Sequence, residues 1–222
     1  MYENQNLGSK PSLKQLVYEN LRGMIIQGKL APGAKLTEDD LAQAMHISRA
    51  PIREAINMLE RDGFTKIIPR KGAIVSEISH KDAIDIWKCR LALEPFAALE
   101  AMPNIPRKEL EAALARVIEM ESRPYTFEEY VASDLEIHAL YYEYLNNEYM
   151  ESILNNLKAH SVRVRWLKEA MDSKSSQSFI SIGEHKKILE AFLLGDADLV
   201  YKTVREHIAR SAERLTEVLD VS

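Results

Sequence analysis

Asp134 and His138 stand four residues apart in D-L-E-I-H, and two more histidines follow: His185 in G-E-H-K-K-I-L-E-A-F and His207 in V-R-E-H-I-A-R. Residues i and i+4 lie on one face of a helix, so a carboxylate and an imidazole from the first pair can approach one ion together. Two further imidazoles from later helices complete a four-ligand nitrogen and oxygen set of the kind zinc and related divalent ions accept. Four protein ligands close a tetrahedral site. An octahedral ion, nickel or manganese included, keeps positions open for a ligand oxygen. His46, His80 and His160 have no such spacing; they read as a turn residue, a helix start and a helix-surface residue.

A second set of chemically able residues lies near the N-terminus. Ser48, Arg49 and Arg53 open the run S-R-A-P-I-R-E-A-I-N-M-L-E-R-D, and Arg70, Lys71 and Gly72 sit in P-R-K-G between two apolar stretches. Guanidinium forks can take guanine O6 and N7 or clamp phosphates, and glycine allows close backbone approach. Cationic residues at both places point to a polyanion such as double-stranded DNA.

The elements that must position these residues follow from periodicity. Leu16, Val17, Leu21, Met24 and Ile25 mark a helix from Leu13 to Gln27, which Gly28 and the turn at Pro32-Gly33 stop. Thr37 and Ser48 are expected N-caps of the next two helices, with Asp39 and Asp40 near the positive end of the first. Asp62-Gly63 ends the third helix, and β-type stretches at Phe64–Ile68 and Ala73–Glu77 form a hairpin. Three helices and a hairpin make a winged helix-turn-helix, in which the start of the third helix enters the major groove. Beyond it, helices are expected at 80–101, 106–122, 127–145, 147–171, 177–194 and 197–219. Short connections between six helices predict an antiparallel bundle. The fold class is therefore mainly α, with residues 1–77 a winged helix-turn-helix DNA-binding domain and residues 78–222 an all-helical domain that carries the candidate metal ligands.

Charge separates the same two parts. Through residue 76 there are 11 Lys+Arg against 8 Asp+Glu; the remainder has 18 against 26, for a net charge of −5 overall. Only the first part is suited to a polyanion. No apolar run reaches the ~18–20 residues of a membrane span, and the N-terminal residues lack the pattern of a signal peptide. The single cysteine, Cys89, fits a reducing cytoplasm and reads as a buried thiol. These features predict a cytoplasmic protein without a membrane partner.

The runs L-A-P-G-A-K-L-T-E-D-D-L-A, I-S-R-A-P-I-R-E-A-I-N-M-L-E-R-D-G-F and P-R-K-G-A-I-V closely resemble the GntR family of bacterial transcription regulators, over about residues 12–77. The S-R-x-P-x-R-E-A signature is its most diagnostic part. The resemblance implies that Arg49 and Arg53 contact an operator from the recognition helix and that Arg70, Lys71 and Gly72 form the wing tip. Many relatives carry a basic residue near Glu38–Asp40, where this chain is acidic. The second part resembles the FCD effector domain of the FadR subfamily, and its six helices suggest the VanR-like group. That likeness implies Asp134, His138, His185 and His207 as metal ligands, with zinc the first choice. It further implies a small organic-acid or sugar-acid effector beside the metal, with Arg90 in K-C-R-L-A-L-E-P and, less directly, Arg163 and Arg165 meeting its carboxylate. A homodimeric repressor reading a pseudo-palindromic operator is the implied function. Two other readings remain at this point: a metal-dependent hydrolase, for which Glu184 is the conceivable base, and a regulator whose signal is the metal itself. H-E-x-x-H and G-x-S-x-G are absent.

Overall fold

The structure, a computed structural model, describes residues 11–70, 72–171 and 177–219. Contacts divide the chain into two compact units, Met1–Glu77 and Ile78–Ser222.

In the first unit, α1 (Leu13–Ile26) begins where the Ser12 hydroxyl accepts from the Gln15 amide at 3.4 Å, and it buries Val17, Tyr18, Leu21 and Ile25 on one stripe. Helices α2 (Glu38–Met45) and α3 (Arg49–Arg61) follow. Thr37 and Ser48 do occupy the N-cap positions, but neither side chain makes a capping hydrogen bond. His46 ends α2 in the left-handed region, φ 55°, which accounts for the tight turn into α3. Helix α3 is strongly two-faced: Ile52, Ala55, Ile56 and Leu59 are buried, and Arg49 and Arg53 face outward. Leu21, Ile25, Ile52, Leu59, Phe64 and Val75 are fully buried and make the core of this unit.

The expected hairpin is part of a three-stranded antiparallel sheet, in which the hairpin's second strand is central. Strand β2 (Thr65–Ile68) pairs with β3 (Gly72–Val75) in the register Thr65↔Val75 to Ile68↔Gly72. The addition is β1 (Lys35–Leu36), whose residues face Ile74 and Ala73. Two residues carry no alternation to read, so this strand exists only through its partner.

The second unit is built of α4 (His80–Ala101), α5 (Arg107–Glu121), α6 (Phe127–Glu143), α7 (Glu148–Met171), α8 (Gln177–Leu194) and α9 (Ala197–Leu219). Reciprocal capping boxes, Ser79 with Asp82 and Thr126 with Glu129, fix the starts of α4 and α6. Cys89 is exposed, contrary to the buried thiol expected of it. No helix among the described residues is long and apolar enough to cross a membrane. The interior is unusual in its polarity. Arg90, Glu94, Asp134, His138, Arg163, His185 and His207 are buried at positions where helix periodicity alone would call for aliphatic side chains. Buried charges persist only where they are paired or bind an ion.

Candidate metal centre and nucleic-acid interface

Helix α6 supplies Asp134 and His138, α8 supplies His185 and α9 supplies His207. All four are buried, and one ligand atom from each lies within 4.8 Å of the others. Asp134 Oδ1 is 3.2 Å from His185 Nε2 and 3.6 Å from His138 Nε2. Those three atoms and His207 Nε2 are buried without a hydrogen-bond partner. Buried polar atoms are almost always satisfied, so four that converge form a group that could hold a metal ion. Bonds of ~2.1 Å place opposite ligands of a divalent ion at most ~4.2 Å apart, so a slight contraction seats one. The donor set and the geometry both fit the divalent metal expected from the sequence.

Outside the ligands lies a ring of supporting contacts that sequence reasoning did not find. His138 Nδ1 donates to Glu94 Oε2 at 2.9 Å, and Glu94 Oε1 is paired with Arg90 Nε. Tyr141 Oη contacts the same His138 nitrogen and donates to Glu94 Oε2 at 2.7 Å. On the opposite side, His207 Nδ1 donates to Glu184 Oε2 at 2.9 Å. Arg214 holds Glu184 with Nη1 to Oε1 and Nη2 to Oε2, each at 3.0 Å. With Nδ1 committed to a carboxylate, His138 and His207 each turn Nε2 toward the centre. This is the arrangement by which outer carboxylates orient histidine ligands. Asp134 is braced differently, by Arg165 Nη1 at 2.5 Å from Oδ2.

Electrostatics follow the contacts. Burial alone would raise the Asp134 carboxyl, but the Arg165 guanidinium and His138 hold it well below the usual carboxylate range. Glu94 is likewise ionised because Arg90 and His138 outweigh its burial. Burial raises Glu184, yet hydrogen bonds from His207 and Arg214 bring it down to about 2. Burial pushes His207 down to about 3, against Glu184, and lowers His185 too. An anionic Asp134 and neutral His185 and His207 are the protonation states that metal ligation requires.

The residues named from sequence are thus sorted by the structure. Asp134, His138, His185 and His207 come together. Arg90 makes a buried i,i+4 pair with Glu94, both side chains being at most 1 % exposed. Its Nη1 stays buried without an acceptor. Arg163 is buried, and burial lowers its guanidinium to about 10. Side chains two apart do not share a helix face, so Arg165, not Arg163, is the α7 arginine against the ligand carboxylate. Glu184 backs His207, which is a different place from that of a base beside the ion. Tyr141 belongs to the ligand support, whereas Tyr149 is 88 % exposed.

In the first unit, Arg49 and Arg53 project from consecutive turns of α3 and are more than 60 % exposed. Each already has a carboxylate: Arg49 Nε pairs with Asp39, and Arg53 binds Glu38 with Nε at 2.9 Å and Nη2 at 2.7 Å. Arg70 adopts φ 65° and Gly72 φ 89° at the β2–β3 turn. Lys71, also named for this turn, lies outside the described residues.

Comparison with known proteins agrees with both units. The family described as "FCD domain" matches residues 85–210, and "Bacterial regulatory proteins, gntR family" matches residues 13–75. The chain is 26 % identical over 206 residues to the uncharacterized HTH-type transcriptional regulator YdhC of Bacillus subtilis, covering 91 % of each chain. It is 27 % identical over 209 residues to the gluconate operon transcriptional repressor of the same organism, covering 90 % of this chain and 83 % of that one. The solved structure of E. coli McbR/YncC shares the fold, with TM-score 0.80 at 19 % identity over 94 % of this chain and 99 % of that one.

Proposed function

As the chain belongs to the GntR family of transcriptional regulators and carries its FCD domain, we propose a homodimeric repressor whose second unit binds a divalent metal, zinc first, and a small carboxylate. Regulators of this family bind operator DNA and are not enzymes, which removes the hydrolase reading. The observation that carries the metal is the convergence of four buried, otherwise unsatisfied atoms from Asp134, His138, His185 and His207.

The residues of this chain divide the work. Asp134 and the three Nε2 atoms hold the ion; Glu94, Glu184 and Arg165 fix the ligands' orientation. A bound divalent ion supplies Lewis acidity toward a carboxylate oxygen. Arg90 offers Nη1 to the same carboxylate, and Arg163 adds a further cation in the interior. Sugar acids head the panel of effectors because one relative is a repressor of a gluconate operon. Ser48, Arg49, Arg53, Arg70, Lys71 and Gly72 meet the operator. An effector alters DNA binding only if it binds the DNA-competent and DNA-incompetent states with different affinities.

A second reading has its own observation. Arg90 already has an internal carboxylate, Glu94, and four protein ligands can close a tetrahedral shell. On that reading the metal is itself the signal. One experiment addresses both: elemental analysis of the full chain, then thermal shift of the metal-loaded protein against organic and sugar acids, with operator binding measured alongside. Stabilisation by an acid only when metal is present supports the effector reading. Metal-dependent operator binding with no acid response supports the second. No metal in the wild type, and no change in metal content on His138→Ala or His185→Ala, overturns both.

A further inference from the structure

Two carboxylates stand against the arginines assigned above to the operator. Glu38 and Asp39 are the first two residues of α2, and they reach across to α3, fifteen and ten positions further along the chain. Glu38, Asp39, Arg49, Arg53, Lys35 and Gly72 line one hollow of about 300 Å³ between α2, α3 and the sheet. The pairs therefore sit on the surface that joins recognition helix to wing.

The edge used by each pair matters. A guanidinium has five N–H groups, one on Nε and two on each Nη. Arg53 is gripped side-on, through Nε and Nη2, and Arg49 through Nε. A side-on grip leaves the end edge, one hydrogen from each Nη, and that edge matches guanine O6 and N7. A carboxylate behind each arginine also cancels its charge toward phosphates, which carry no sequence information. We propose that Glu38 and Asp39 are specificity-determining positioning residues: they aim Arg53 and Arg49 end-on at base edges and keep the pair from serving as phosphate clamps. The acidic residues that depart from the family pattern thereby have a role, one that rests on the assignment of Arg49 and Arg53 to operator contact.

The test uses the full chain. Duplexes selected by the wild type from a randomised pool, and a scrambled control, are titrated at several salt concentrations against wild type, Glu38→Gln, Asp39→Asn, Asp39→Glu and Arg53→Ala. Glu38→Gln and Asp39→Asn are expected to bind the scrambled duplex more tightly and to lose about tenfold in the selected-to-scrambled ratio. Their dependence on salt should steepen by ~1 in log–log slope for each carboxylate neutralised. Asp39→Glu should retain the wild-type ratio. An unchanged ratio in both amide variants, or parallel loss on both duplexes, overturns the proposal. Arg53→Ala with undiminished binding to the selected duplex overturns the underlying contact assignment instead, so the two failures are told apart.

Discussion

The two units use the same chemical pair, arginine with carboxylate, in opposite surroundings. Arg53–Glu38 and Arg49–Asp39 lie in water, with arginine side chains 62 % and 65 % exposed. Arg90–Glu94 is sealed within the bundle at 1 % and 0 %. An exposed pair is screened, contributes little to stability and can exchange partners. A buried pair is costly to create, and once present it is costly to break, because the surviving charge has no solvent. The exposed pairs are thus fit for choosing among outside partners; the buried one is fit for holding a fixed geometry around His138.

That contrast can be broken at several points. The largest effect is expected from Glu94→Ala, which strands Arg90 and removes the acceptor of both His138 and Tyr141. Denaturant unfolding of the full chain should show a loss of about 3–5 kcal/mol, the usual consequence of removing one member of a buried pair. A loss within error would mean that water or a neighbour replaces Glu94. Next comes Glu184→Gln, which keeps volume but weakens the hold on His207. Its metal affinity, measured by chelator competition, should fall ~10–100-fold, with secondary structure by circular dichroism unchanged. Arg53→Ala should then cost about tenfold or more in operator affinity, by loss of a base contact, with metal affinity untouched. Smallest of all is Glu38→Gln on stability: its unfolding midpoint should coincide with wild type, because an exposed pair contributes little. Should Glu38→Gln destabilise as strongly as Glu94→Ala, the distinction between the two surroundings fails.

Much of this architecture was legible in the sequence, for definable reasons. Helices α4, α8 and α9 begin and end where pattern and punctuation place them, since serine caps, Gly195 and the polar run before Gln177 are local signals. Asp134 and His138 were legible because helix geometry alone puts them side by side. Their union with His185 and His207 depends on how α6, α8 and α9 meet, and there the family spacing supplied what periodicity lacks. The supporting shell was not legible. Glu94 and Glu184 look like ordinary helix-surface acids, and only the packing shows them buried against a histidine from another helix. A weak signal existed: both fall on the inward stripe of their helices, Glu94 beside Ala97, Ala98 and Ala101 and Glu184 beside Ile188. Strand β1 escaped notice because it pairs rather than alternates. Cys89 misled because free cysteine usually prefers burial, whereas position 89 lies between the buried positions Trp87 and Arg90 and is exposed.

One further consequence comes from Trp87. It is 2 % exposed, packs in the cluster of Ala83, Val164 and Ile208, and carries the Arg90 guanidinium 5.5 Å from its ring centre. The chain has two tryptophans, and the other, Trp166, stands edge-on to Phe127 at 5.0 Å, so both indoles belong to the helical unit. Selectively excited emission at long ultraviolet wavelengths therefore originates wholly outside the DNA-contacting unit. The helical unit carries its own optical probe, with Arg90 against the Trp87 ring and Glu94 joining Arg90 to His138.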